Sequence, residues 1–274
     1  MTTSRSASLS DNSPDLIAIT ARGRSFDIEY RLIDAGRPDA DLLIFLHEGL
    51  GSTSMWRDWP DQLCAATGCR GLVYSRYGYG ASTPRPADEK WPVQFMHDQA
   101  RHDLPALLRA LGLEDEKPIL FGHSDGGSIA LLYAAMYPDQ VKAICVAAPH
   151  IFVEDVAIAS ITKARQAYLE TDLPQRLGRY HQDPDSAFWG WNDIWLNPEF
   201  RRWDIREFLP AIRCPILAIQ GVDDEYGTLE QIQGVKRIAT DAMLCIINDC
   251  RHSPHKDQPQ QVNSAVADFI SSLD

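Results

Sequence analysis

The sequence predicts an α/β architecture: a mostly parallel central sheet flanked by helices, interrupted once by an inserted helical cap. Three observations carry that prediction. Short continuous apolar runs recur at 42–47, 71–75, 118–122, 142–148, 215–221 and 242–248, as strands covered on both faces require. Segments with helical spacing lie between them, and strands alternating with helices give a parallel sheet. Between residues 151 and 208 the rhythm stops, and the strand pattern resumes only at Pro215.

The elements follow in order. The opening MTTSRSASLSDNSPD is polar and serine-rich without an apolar core, so residues 1–20 read as a flexible lead-in and not as a secretion signal. Phe26, Ile28, Tyr30 and Leu32 then alternate with Asp27, Glu29 and Arg31, the period of a half-buried strand, expected as an antiparallel edge. LLIFLH at 42–47 runs into the glycine-rich EGLGS. Ala100, Leu104, Leu107, Leu108 and Leu111 share one helix face, with Pro105 kinking or restarting that helix. SIALLYAAMYP at 128–138 is apolar all round, which marks a buried helix ended by Pro138. The core is therefore expected over 21–150 and 209–274, with the cap over 151–208. Four of the seven tryptophans, Trp189, Trp191, Trp195 and Trp203, fall in the cap. With Tyr180, Phe188 and Phe200 they read as the cap's own small core, one or two of them reaching a pocket.

Composition narrows the class. The 274 residues carry 26 basic and 38 acidic side chains, a net charge of −12, which argues against a nucleic-acid footprint or attraction to anionic lipid. No apolar run approaches the roughly 20 residues of a membrane span. The six cysteines include no CxxC pair. Cys145, Cys214 and Cys245 lie in or beside apolar runs and read as buried free thiols, so a reducing cytoplasm is the expected setting. The partners expected are a small-molecule substrate and, at most, a second copy in a homodimer, with no nucleic acid and no membrane.

The stretch Phe121-Gly122-His123-Ser124-Asp125-Gly126-Gly127 follows one apolar run and precedes the buried helix. Glycines two before and two after a serine relieve crowding in a sharp strand-to-helix turn, whose apex lifts the hydroxyl above the sheet. The helix start beneath it offers free main-chain N–H groups. A serine hydroxyl needs a base held by a third group. Val222-Asp223-Asp224-Glu225 follows the strand at 215–221, and Cys250-Arg251-His252-Ser253-Pro254-His255 follows the strand at 242–248. Both therefore fall on the same sheet edge as Ser124, where ligands gather in open α/β sheets.

With these residues in place, the chain resembles the α/β-hydrolase superfamily from about residue 25 to residue 270. The resemblance implies a Ser-His-acid triad. The family's G-x-x-D maps to Gly221 and Asp224, with Asp223 the alternative. Its GH-x-x-x-x-E-x-P maps to His252, Asp257 and Pro259, with Arg251 replacing the glycine. His255 is the alternative base and reads better as a surface or supporting histidine. The oxyanion donors implied are the main-chain N–H groups of Asp125 and, from the HG-x-x-G loop, of Gly49. Glu48 departs from that loop's pattern and is expected to point away from the oxyanion, toward Arg76. SRYGYGAS at 75–82 resembles D-x-x-G-x-G-x-S with Ser75 in place of aspartate, Gly78 and Gly80 serving the turn. His47 is expected to brace the oxyanion loop. Glu48, His123, Trp189 and Trp191 are the pocket candidates. His97-Asp98 and His102-Asp103 have histidines five apart, off a shared helix face, and read as solvated positions, so no metal is expected.

The implied function is cofactor-independent hydrolysis of a small carboxylic ester through an acyl-enzyme. Lactone opening and carbon–carbon bond hydrolysis are alternatives on the same triad. A small-molecule binding protein with slow or absent turnover is the alternative of another class. The serine at the elbow argues against haloalkane dehalogenase or epoxide hydrolase chemistry, whose relatives carry aspartate there.

Overall fold

Each apolar run becomes a strand of one eight-stranded sheet in the computed structural model, which describes residues 14–33, 39–239 and 241–273. The strands are β1 (Asp15–Ala21), β2 (Arg24–Ile33), β3 (Leu42–Leu46), β4 (Arg70–Tyr74), β5 (Ile119–His123), β6 (Ala143–Ala147), β7 (Ile216–Gly221) and β8 (Ala242–Ile247). Their order is β1-β2-β4-β3-β5-β6-β7-β8. From β4 to β8 every pairing is parallel, and β3, β5 and β6 are buried throughout.

Two expectations change at the other end. The edge is β1, not the alternating strand, which lies between β1 and β4 and pairs antiparallel with both. The lead-in placed over 1–20 therefore overlaps a strand from Asp15 onward, while residues 1–13 fall outside the described part. The β1–β2 hairpin closes through Arg22 (φ 53°) and Gly23 (φ 75°), two left-handed residues whose twist suits a tight hairpin.

In chain order the helices are α1 (Trp59–Thr67), α2 (Phe95–Asp98), α3 (Leu104–Ala110), α4 (Asp125–Met136), α5 (Asp155–Glu170), α6 (Leu173–Leu177), α7 (Pro184–Trp195), α8 (Glu230–Ile238), α9 (Pro254–Asp257) and α10 (Pro259–Ser271). One face of the sheet is covered by α1 and α10, through Trp59, Leu63, Val262 and Phe269. The other is covered by α2, α3, α4 and α8 together with residues from α5 and α7. As its composition demands, α4 is buried on every side from Asp125 to Ala135. Pro105 restarts a helix: a π-helical turn over Gln99–Asp103 gives way to α3 with the proline in its first turn, where its missing N–H costs nothing.

Between β6 and β7 the chain forms α5, α6 and α7 and no named strand. An isolated antiparallel bridge between Phe152 and Asp204 pinches the base of this segment, and we propose residues 151–208 as one inserted cap. Of the cysteines, Cys145 is buried as expected, whereas Cys214 and Cys245 are half-buried; all six are free thiols. Among the described residues no helix is long and apolar enough to cross a membrane.

Candidate active site

Local backbone chemistry explains the elbow between β5 and α4. Ser124 sits at φ 53°, ψ −118°, a strained conformation for a residue with a Cβ. A Cβ at Gly122 would strike the carbonyl of Gly126, and one at Gly126 would strike the carbonyl of Leu46. Glycine at both positions is therefore a steric requirement of the turn. Ser124 N–H donates to Ala147 O (2.9 Å), which ties the apex to the end of β6.

Three distant segments meet there. Ser124 Oγ–H donates to His252 Nε2 at 2.9 Å, and His252 Nδ1–H donates to Asp224 Oδ1 at 2.8 Å. Asp224 also accepts from Tyr226 N–H (2.8 Å), Gly227 N–H (3.2 Å) and Gln220 Nε2 (3.0 Å). Burial opposes its charged form, but the hydrogen bond from His252 and the main-chain donor outweigh burial and hold the carboxyl below the ordinary range. The neighbouring Asp223 is exposed; its N–H donates to Cys250 O and it makes no bond to His252. His255 is buried between Trp56, Trp59 and His123. Its burial lowers its basicity well below the ordinary histidine value, and it plays no part in this chain of bonds.

The main-chain N–H groups of Gly49 and Asp125 have no acceptor among the described residues. Gly49 lines the same cavity as Ser124 and His252, while Asp125 opens α4 directly after the serine. His47 braces the loop that carries Gly49: its Nδ1–H donates to Glu48 O (2.7 Å) and its Nε2 accepts Arg76 N–H (3.0 Å). Burial, reinforced by Arg76, pushes His47 well below the ordinary histidine value.

Glu48 differs from expectation. Arg76 does reach this residue, but it binds the main-chain oxygen (2.8 Å) and not the carboxylate. The carboxylate instead lines the cavity, 3.3 Å from Lys256 Nζ and 3.5 Å from His123 Nδ1. Burial works against its charge, yet Lys256 and His123 prevail and keep its pKa well below the ordinary value. Arg76 is spent on Gln99 (3.0 Å) and on the buried Asp125, 3.8 Å away. Burial lifts the Asp125 carboxyl to about 6 despite Arg76 and the indole of Trp195.

A comparable substitution occurs in the 75–82 loop. Ser75 Oγ–H donates to Glu29 Oε2 (2.5 Å), which also accepts Ala81 N–H (2.9 Å). Strand alternation placed Glu29 outward, but it is buried, and β2 supplies the carboxylate that position 75 lacks. Of His97, Asp98, His102 and Asp103 only His102 is an exposed helix position: His97 packs against Trp203 and Phe208, and Asp103 takes the Arg22 guanidinium at 2.9 Å.

The cavity measures about 260 Å³. His123 lines it, and its Nε2–H donates to His252 O at 2.7 Å. Trp191 and Trp195 line it with Ile161. Trp189 does not: it faces a separate groove beside Trp91 and packs on Tyr168 and Phe188. Sequence reasoning did not single Trp195 out from the other cap tryptophans, and it missed Tyr226, Glu225 and His150. Glu225 accepts His252 N–H (3.2 Å) and the Arg251 guanidinium (2.9 Å), which gives the unusual arginine a partner. His150 follows the carboxyl end of β6, the edge that already held Ser124, so its position was a usable signal. Burial drops its pKa to about 3, so it stays a neutral polar group in the wall.

Comparison with known proteins identifies the fold and the family. A family model described as "alpha/beta hydrolase fold" matches residues 41–208. A bifunctional esterase/perhydrolase of Acinetobacter calcoaceticus is 26% identical, covering 90% of this chain and 96% of its own. Human serine hydrolase BPHL is 24% identical over 73% of this chain and 68% of its own. A thermophilic esterase from Thermogutta terrifontis superposes with a TM-score of 0.70 at 20% identity, covering 95% of this chain and 99% of that one.

Proposed function

The chain belongs to the α/β-hydrolase family and is a hydrolase, and we propose that it hydrolyses small carboxylic esters through an acyl-enzyme on Ser124. The observation that carries this reading is the unbroken run of hydrogen bonds from Ser124 Oγ through His252 to Asp224. Ser124 Oγ attacks the ester carbonyl as His252 Nε2 takes its proton, and Asp224 keeps the imidazole in the tautomer that can accept it. The carbonyl π pair moves onto oxygen, where the Gly49 and Asp125 amides receive it. His252 returns the proton to the departing alcohol. Water then repeats the sequence on the acyl-enzyme, releasing the carboxylic acid and restoring the serine. The cavity of about 260 Å³ limits the substrate to small acyl and alcohol groups.

Ser124→Ala tests the reading. Removing the nucleophile of such a triad costs about 10⁶-fold in kcat, and a fluorophosphonate should label the native chain at Ser124 alone. Undiminished ester turnover by Ser124→Ala would refute the mechanism. Tight ligand binding without labelling would favour a binding protein. A series of p-nitrophenyl esters beside lactones and vinylogous diketones ranks the acyl compounds, since one methylene in a pocket is worth about tenfold.

A further inference from the structure

Two tryptophans of α7 stand four residues apart on one helix face, and their indole N–H groups have different partners. Trp195 Nε1–H donates to Asp125 Oδ1 at 3.2 Å. Trp191 has no acceptor for its N–H among the described residues. The unpaired N–H groups of Trp56, Trp59, Trp91 and Trp203 are sealed in the interior, whereas Trp191 lines the cavity with Gly49, Ser124 and His252.

The indole is seated on the oxyanion loop itself. A Cβ at Gly49 would collide with Trp191 Nε1 and Cδ1 and would lie 3.1 Å from Cε2. Gly49 is not among the glycines with positive φ, so no turn requires a glycine there; room for the indole edge does. That edge is the one bearing the N–H. Phe188 meets the Trp191 ring from one side (5.9 Å), and the preceding Gly190 is pressed against Trp91 and Arg85. An unpaired indole donor is thereby held against the residue whose own amide is unpaired, in the cavity that contains the nucleophile.

We infer that Trp191 Nε1–H is a third donor to the oxyanion, delivered by the cap to the hole that Gly49 and Asp125 form in the core. The inference rests on the acyl-transfer reading. As the Oγ–C bond forms and the π pair moves to oxygen, the indole gives one hydrogen bond and keeps its proton. A donor aimed at developing charge acts on the transition state more than on bound substrate. The hole is then complete only with α7 in place, so cap seating and chemistry are coupled.

Trp191→Phe removes the donor and keeps an aromatic wall. With p-nitrophenyl butyrate, kcat should fall about 10²-fold, the modest end for loss of one oxyanion donor, with KM within about twofold. An alkylboronic acid, which forms an anionic tetrahedral adduct on a serine, should lose affinity in proportion, while the alcohol of the same chain binds unchanged. Trp189→Phe, outside the cavity, should leave kcat unchanged. Unaltered kcat in Trp191→Phe would overturn the inference. So would parallel weakening of substrate, boronate and alcohol, or an equal loss in Trp189→Phe, since either marks a packing role. Failure of the hydrolase reading is separable: Ser124→Ala would then keep its turnover and the native chain would not bind the boronate.

Discussion

The two walls of the cavity that holds Ser124 and His252 are built differently. The core wall carries Ser124, Asp224 and His252 on turns at strand ends, and main-chain bonds fix those turns. Ser124 N–H binds Ala147 O (2.9 Å), Val222 N–H binds Ile247 O (2.9 Å) and Asp223 N–H binds Cys250 O (3.0 Å). The cap wall carries Ile161, Trp191 and Trp195 on helices. There ring packing dominates, with Tyr168 stacked on Phe188 at 3.7 Å and Trp195 edge-on to Phe200 at 5.1 Å. Chemistry that fails on a 1 Å displacement is placed on the stiffer support. Shape, which many packings can supply, is left to the insert, whose one chemical contribution is the donor inferred on Trp191.

The comparison breaks first at Asp224. Asp224→Asn should leave the fold intact and lower kcat by about 10⁴-fold, as loss of the orienting carboxylate does in such triads. Asp223→Asn should stay within about threefold of the native rate, and steady-state kinetics of the pair decides between them. Equal effects would mean that the two aspartates exchange roles and that the core wall is less rigid than its bonds imply.

A middle-sized effect is expected where the walls touch. Trp195→Phe leaves the buried Asp125 carboxylate without its 3.2 Å indole donor, so urea unfolding should show a loss of about 1–3 kcal/mol. The accompanying fall in kcat should stay below about tenfold. A loss of activity without loss of stability would place Trp195 in the chemistry.

The smallest effect concerns the joint between cap and core. His181 Nδ1 accepts Gly80 N–H (3.0 Å) and its Nε2–H donates to Leu50 O (3.0 Å), so the cap grips two core loops through a neutral ring. Burial is the main reason that its pKa falls to about 4. A folded value below the unfolded one stabilises the protein fully above about pH 6.5, and that stability drains as pH falls toward 4. At pH 5 the drain is about 2 kcal/mol. His181→Gln should therefore lose less stability between pH 7 and pH 5 than the native chain, measured as urea midpoints. A parallel decline in both would show that other buried histidines govern the acid limb.

Legibility followed the range of the interactions involved. The parallel strands were readable because continuous apolar runs need cover on both faces, and the elbow because the crowding at Gly122 and Gly126 is set by carbonyls within a few residues or on the adjoining strand. β1 was missed because its alternation, with only Ile19 and Ala21 buried, adjoins a polar lead-in. Glu29 was placed outward because alternation describes a strand in isolation, whereas Ser75 and Ala81 supply it with partners from a loop about 50 residues away. Helical phase brought Trp191 and Trp195 onto one face but did not say what that face meets.

The sequence by itself determined the parallel strands, the strained serine turn and the chain order of serine, carboxylate and histidine, because glycine sterics and apolar periodicity act over a few residues. Tertiary structure alone decided that Asp224 and not Asp223 meets His252, that Glu48 turns to Lys256 and His123, and that the Trp191 indole rests on Gly49. Those outcomes depend on where segments distant along the chain come to lie. A hydrogen bond or a ring contact has no counterpart in local spacing until the sheet has brought its two ends together.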